Sequence, residues 1–344
     1  MIKADLVSNL EKIVSRSMEM PDLKAADFLI IYDLNSPIAE RLFDAYVELL
    51  PAARKVDYYA KKPEEVIAEV DLCKPADLVI LIESSSFRMS NFRWRLELFN
   101  RGLRVIEHAH LGNNLPEQTE TYLETLRDDS EYFERVGNAL AEKLAVADQV
   151  KVVSDGGAEL IYSGDFEEVK KNLGNFVGRA NKGCGFPIGE VFTEPTDLLA
   201  VNGVVEIFAF ADTEHRVVYP DKPFVLSVKN GEIEWNRDSA SNRWAEKFAE
   251  VMALLKSENP DGRIWARELG FGLNRGVSRT NRLDDISAYE RLSGVHMSLG
   301  LKHDIYRGKM EKGKAERYHI DIFPAAREIW IDEQKVFESG SWII

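Results

Sequence analysis

Residues 76–83 read ADLVILIE, the clearest signal for a buried strand in the chain. Within it, residues 78–82 form a short run of aliphatic side chains, which is typical of a strand that is covered on both faces of a sheet. Residues 28–32 (FLIIY) and 103–107 (LRVIE) carry the same kind of signal. The N-terminal part of the chain therefore predicts several buried strands of one sheet.

Helix signals separate these strands. Ser36 followed by Pro37 predicts a helix start, because the hydroxyl can cap the first turn and proline fits the first helical position. This helix runs towards Leu50, and residues 63–71 predict another. Strands that alternate with helices predict an α/β fold with a parallel, doubly wound sheet. The turn after the first strand contains no glycine, so the pattern does not predict a nucleotide site.

The character of the sequence changes after Val150, where short strands separated by Gly, Asn and Asp turns become frequent. A helix at residues 243–257 interrupts them. The predicted strands occupy residues 149–153, 158–162, 204–210, 216–219, 224–228 and 329–331. We predict an α/β domain over residues 1–147 and a β-rich α+β domain over residues 148–344.

The composition is that of an ordinary globular protein, with 45% apolar and 30% charged residues among 344. A formal charge of -14 argues against nucleic acid or an anionic membrane as the main partner, since both favour clusters of Lys and Arg. Two cysteines, Cys73 and Cys184, are too few for a disulfide framework. The N-terminus lacks the apolar run of a signal peptide, and no apolar run approaches the ~20 residues of a membrane-spanning helix. We therefore expect a cytoplasmic protein.

Side chains that bind metals gather in the C-terminal domain. His319 and Asp321 are two apart in a predicted strand, so both would point to one face. Glu190 follows a Gly/Pro-rich loop, and Glu268 ends an apolar stretch where an unpaired carboxylate would be costly. His296 stands in a short apolar segment bounded by glycines. Histidines combined with several carboxylates are typical ligands of one or two divalent metals, so we predict a metal-binding domain here.

Each of these signals also has a plainer interpretation. His319 and Asp321 fit an edge strand whose polar residues face water, and a lone buried histidine such as His296 is more often a hydrogen-bonded core residue. His108 and His110 repeat the two-residue spacing in the N-terminal domain and fit a surface equally well. Taken singly, the local patterns leave both interpretations open.

Five short motifs nevertheless occur in a particular order. They are residues 189–195 (GEVFTEP), 202–205 (NGVV), 268–274 (ELGFGLN), 296–300 (HMSLG) and 319–321 (HID). This order resembles the aminopeptidase T/aminopeptidase S family of metallopeptidases, over roughly residues 184–340.

The resemblance implies a two-metal site that holds zinc, cobalt, manganese or magnesium. Its ligands would be Glu190, Glu268, His296, His319 and Asp321. In that family the metal pair activates a bridging water, which attacks the carbonyl of an N-terminal peptide bond. A carboxylate at the site, such as Glu190, or the second metal would accept the proton from water. The resemblance also implies short peptides as substrates and a homodimeric assembly.

One position departs from the family pattern. The peptidases carry a tyrosine seven residues after the histidine that matches His296, and this chain has His303 there, with Tyr306 three residues further on. The resemblance assigns that tyrosine to stabilisation of the transition state, and an imidazole could donate to the same oxyanion or bind metal. The departure bears on peptidase activity more than on metal binding.

A second resemblance is to the 2,5-dihydroxypyridine dioxygenases, which share this fold and are close in length. They hold a single ferrous ion with two histidines and an aspartate. His319 and Asp321 match two of those ligands, and Glu268 stands near the third. The alternatives are thus a mononuclear iron, ring-cleaving dioxygenase and a non-catalytic relative that binds a partner; the presence of both Glu190 and Glu268 favours the peptidase-like pair of metals.

Overall fold

The computed structural model describes residues 1–23, 28–87, 94–236, 243–259, 261–300, 306 and 319–344. The chain packs as two compact units. Unit 1 comprises Met1–Ser130, Asn172–Ile188 and Thr280–Ala288, and unit 2 comprises Glu131–Lys171, Gly189–Arg279 and Tyr289–Ile344. Both units are discontinuous in sequence, and the single boundary between residues 147 and 148 stays a prediction.

Helices and strands are mixed along the described ranges, which confirms the α/β class in its general form. The helices are α1 (Lys3–Lys12), α2 (Pro37–Leu49), α3 (Pro63–Asp71), α4 (Trp94–Asn100), α5 (Thr119–Glu124), α6 (Ser130–Leu144), α7 (Arg243–Glu258) and α8 (Ile286–Tyr289). The strands are β1 (Phe28–Tyr32), β2 (Arg54–Asp57), β3 (Leu78–Ile82), β4 (Arg104–His108), β5 (Gln149–Ser154), β6 (Glu159–Ser163), β7 (Lys170–Asn172), β8 (Gly183–Gly185), β9 (Glu190–Thr193), β10 (Val201–Ala211), β11 (Val217–Val218), β12 (Phe224–Lys229), β13 (Glu232–Glu234), β14 (Ala266–Gly272), β15 (Gly294–Gly300), β16 (His319–Pro324), β17 (Ala326–Ile331), β18 (Gln334–Glu338) and β19 (Ser341–Trp342).

The sheet of unit 1 is parallel, with the strand order β2-β1-β3-β4-β8. Every residue of β3 is buried, as the aliphatic run predicted. Helices α3 and α4 contribute Val66, Val70 and Leu98 to the apolar core beside this sheet. The start of α2 is also confirmed, because the Ser36 hydroxyl accepts a hydrogen bond from the Ala39 N–H at 3.2 Å.

Unit 2 is organised around a second, larger sheet. Its strand order is β19-β18-β17-β5-β6-β10-β16-β15-β14-β9-β7, with β11 and β12 paired to β10 and β13 paired to β12. The turn between β12 and β13 contains Asn230 and Gly231, both with positive φ, which suits a tight hairpin. None of the helices in the described ranges is long and apolar enough to cross a lipid bilayer.

Candidate metal centre

Three adjacent antiparallel strands, β9, β14 and β15, bring three of the predicted ligands to one face of the large sheet. Glu190 lies opposite Gly272, and His296 lies opposite Gly270. Glu268, beside a register shift in β14, reaches the same face, because its Oε1 lies 3.4 Å from Nε2 of His296. The carboxylates of Glu190 and Glu268 therefore flank the His296 ring.

The fourth strand, β16, adds the remaining two predicted ligands. Asp321 lies opposite Ser298, and His319 lies opposite Gly300. Since Ser298 is two residues from His296 in β15, all five side chains belong to one face. This register agrees with the prediction that His319 and Asp321 point to the same face of the strand. Their role as ligands stays a prediction.

Gly270 makes room for the His296 ring. A Cβ atom at this position would lie 2.1 Å from Nε2 and 2.2 Å from Cε1 of His296. The imidazole can therefore lie across β14 only because residue 270 has no side chain.

The His296 side chain is fully buried and faces two carboxylates. Its Nε2 atom lies 3.4 Å from Oε1 of Glu190 and 3.4 Å from Oε1 of Glu268. Neither ring nitrogen has a hydrogen-bond partner among the residues that the structure describes. Ligand atoms of these three residues lie within 4.8 Å of one another, and we call this set group one.

His319 and Asp321 extend the site along the sheet. His319 Nε2 lies 2.9 Å from Oδ1 of Asp321 and 3.9 Å from Oε2 of Glu268. Glu268 thus presents one oxygen to each histidine. Ile320 and Ile322 are buried on the opposite face, so β16 holds its polar pair against an apolar backing.

Two charged residues of the site were missed by sequence reasoning. Ligand atoms of Glu290, His296 and Asp321 also lie within 4.8 Å of one another, and we call this set group two. Nη1 of Arg291 lies 2.8 Å from Oε1 of Glu290 and 2.6 Å from Oε2 of Glu190. The sequence offered one signal for them, a Glu-Arg pair directly after Tyr289, which is buried in the structure.

The carboxylates change the pKa values of both histidines. Burial opposes a charge on His296, but Glu268 and the other carboxylates outweigh burial and raise its pKa to about 9. Burial is likewise outweighed at His319, where Asp321 raises the pKa to about 10. Burial alone would raise the pKa of Asp321, but the attraction and hydrogen bond of His319, together with the other nearby cations, lower it to about 2. The carboxylates of the site therefore stabilise positive charge on both histidines.

Burial has the opposite effect on two other carboxyl groups. It raises the pKa of Glu290 to about 8, although Arg291 works against this shift. Burial also raises the pKa of Glu190, again against Arg291. A further cation beside these two carboxyl groups would stabilise their ionised forms.

The donor set fits a divalent metal. Ligands placed about 2.0–2.1 Å from a tetrahedral zinc lie about 3.4 Å apart, which matches the contacts of His296 Nε2 with Glu190 and Glu268. The buried ring nitrogens of His296 supply donors that the described protein groups leave without hydrogen bonds. Buried carboxylates and histidines of this kind can bind metal in place of protons.

The other candidate residues lie elsewhere or outside the described ranges. His303 belongs to the residues that the structure does not describe. The Tyr306 hydroxyl donates to the backbone carbonyl of Glu168 at 2.8 Å. Burial and the nearby Glu268 raise the pKa of this phenol.

His108 is a core residue, which corrects the surface interpretation. It is completely buried in unit 1, with Nε2 2.9 Å from the Tyr46 hydroxyl and Nδ1 3.0 Å from the Tyr122 hydroxyl. Burial lowers its pKa to about 3. His110, also in unit 1, forms a hydrogen bond with Ser86. Neither histidine belongs to group one or group two.

Comparison with known proteins finds similarity at the level of the fold. No protein-family model matches the sequence, and no curated protein matches it. A solved structure of 2,5-dihydroxypyridine dioxygenase from Pseudomonas putida KT2440 matches with a TM-score of 0.64 and 15% identity, covering 100% of this chain and 98% of that one. Wild-type AmpT (aminopeptidase T) from Thermus thermophilus matches with a TM-score of 0.59 and 13% identity, covering 100% of both chains. Both resemblances noted in the sequence are thus confirmed as distant structural similarity, which shows a shared fold.

Proposed function

We propose that the chain is a metal-dependent hydrolase that removes N-terminal residues from short peptides. The observation that carries this proposal is group one, in which two buried carboxylates, Glu190 and Glu268, face one buried histidine, His296. Group two adds further carboxylates to the same histidine. A carboxylate-rich set suits a pair of divalent ions, whereas a ferrous facial triad uses a single carboxylate.

The chain's own residues have separate tasks in this proposal. Glu190, Glu268, His296, His319 and Asp321 would hold two ions, drawn from zinc, cobalt, manganese or magnesium. Bound divalent ions would supply Lewis-acid chemistry by polarising a peptide carbonyl and acidifying water. Glu190 would accept a proton from water. His303 would stabilise the oxyanion in place of the family tyrosine.

The test is peptide hydrolysis by chelator-treated protein reconstituted with each metal in turn. Glu268→Gln and His319→Ala should abolish release of the N-terminal residue, because each removes a charge or a ligand from the site. Glu234→Gln is the matched control, since Glu234 is exposed on β13. Circular dichroism should show the wild-type fold for all three variants. Full activity in Glu268→Gln would refute the site assignment.

The second candidate is a mononuclear iron dioxygenase that cleaves a hydroxylated ring. The higher TM-score of the dioxygenase structure and the close contact of His319 with Asp321 favour it. Oxygen uptake that depends on ferrous iron and a dihydroxypyridine, without peptide hydrolysis, would establish this alternative. Failure to retain any divalent metal would instead support a non-catalytic binding relative.

We also propose that the working assembly is a homodimer. This follows the resemblance to the aminopeptidase family, whose active sites lie inside the assembly. Light scattering coupled to size-exclusion chromatography should give twice the mass of the 39.1 kDa chain. A monomeric mass at the concentration used for activity measurements would contradict the proposal.

A further inference from the structure

Arg291 contacts a carboxylate in each of the two candidate ligand groups, which share His296. Its Nη1 atom contacts Glu190 of group one at 2.6 Å and Glu290 of group two at 2.8 Å. Its side chain is only 12% exposed, and that of Glu190 is 6% exposed. A guanidinium keeps its charge throughout the accessible pH range, so Arg291 is a permanent cation within the site.

The charge of the site shows what this cation does. Glu190, Glu268, Glu290 and Asp321 supply four negative charges when ionised, which two divalent ions would neutralise completely. Arg291 already neutralises one of these charges. Histidines that bind metal are neutral, so the first divalent ion leaves the centre negative, whereas the second leaves it with an excess of positive charge.

Arg291 also removes donor atoms. Oε2 of Glu190 and Oε1 of Glu290 are engaged by its Nη1, so each carboxylate has its other oxygen for a metal. In group one, the other oxygen of Glu190 already faces His296 at 3.4 Å. Arg291 therefore leaves the second ion with fewer carboxylate oxygens.

We propose that Arg291 lowers the affinity of the centre for its second divalent ion, so that one ion is held tightly and the other weakly. This inference rests on the proposed metal-dependent function. If Arg291 instead only oriented Glu190 and Glu290 for the metals, its removal would weaken binding of the second ion rather than strengthen it. At an effective dielectric constant of about 20, repulsion between a unit charge and a divalent ion one side chain apart suffices for more than a tenfold change in affinity.

The experiment is calorimetric titration of zinc, and separately manganese, into the chelator-treated full chain. Wild type should bind one ion tightly and a second at least tenfold more weakly. Arg291→Met and the polar Arg291→Gln should bind the second ion at least tenfold more tightly than wild type. Arg291→Lys, which keeps the charge, should resemble wild type. Arg263→Met is the control for loss of an exposed positive charge, because Arg263 is 52% exposed and lies over the Trp265 ring.

The outcomes separate this inference from the proposed function. Unchanged or weaker binding of the second ion in both neutral variants would overturn the role of Arg291 while leaving a metal centre. Arg291→Lys behaving like Arg291→Met would overturn it as well, since charge would then not be the cause. Wild type that binds no divalent ion would refute the metal centre itself. The Gln variant keeps the test decisive if the Met variant fails to fold.

Discussion

Replacement of Gly270 by alanine is the most direct test of the site geometry. The added Cβ would lie 2.1 Å from Nε2 of His296, whereas an ordinary contact is at least 3.4 Å. The ring must therefore move by about 1.3 Å, the difference between those two distances. Such a shift takes Nε2 away from its position between Glu190 and Glu268, where each oxygen is 3.4 Å away.

The expected cost has two parts. Forcing extra volume into this packed position should lower the free energy of unfolding of the metal-free protein by about 1–3 kcal/mol. Displacing a ligand by more than an ångström should weaken metal binding by at least the ~10–100-fold seen when the residues supporting a ligand are lost. We therefore expect the metal-free variant to be less stable than the metal-free wild type. We also expect it to bind metal more weakly.

A double-mutant cycle separates the steric clash from other effects of the new methyl group. Urea unfolding would be measured for wild type, Gly270→Ala, His296→Ala and the double variant, all metal-free. The Gly270→Ala penalty should vanish in the His296→Ala background, because the ring that obstructs the methyl group is gone. An equal penalty in both backgrounds, or wild-type zinc affinity in Gly270→Ala, would refute the reasoning.

Two further predictions concern the metal and the buried histidine of unit 1. Zinc at about 100 times its dissociation constant should stabilise the fold by about 2.7 kcal/mol, so chelation should lower the melting temperature by differential scanning fluorimetry; a shift equally large in His296→Ala would contradict the site. For His108, the folded-state pKa of about 3 lies below the ordinary value of 6.5, so its contribution to stability is complete above pH 6.5 and is lost as the pH falls towards 3. Urea unfolding should show wild type losing about 1.4 kcal/mol per pH unit more than His108→Phe in that window, and parallel pH profiles would count against the assignment.

Several elements could be predicted from the sequence because their signals are local. The aliphatic run of β3 and the Ser36–Pro37 start of α2 depend on neighbours within a few residues, and both agree with the structure. β2 was missed, because Arg54–Asp57 contains a single apolar residue and owes its strand to pairing with β1. Helix α3 agrees with its predicted bounds, since Pro63 marks its start.

The candidate site likewise contains features that the sequence predicts and features that depend on the tertiary structure. The sequence by itself determined that His319 and Asp321 share a face, because alternation along a strand is a local property. Only the tertiary structure decided that Glu290 and Arg291 join them, since these residues follow α8 and carry no periodic signal. The pairing of β9, β14, β15 and β16 brings together carboxylates that are far apart in the chain. The physical reason is that side-chain direction is set by adjacent residues, whereas the sharing of one buried charge cluster is set by strand order and register.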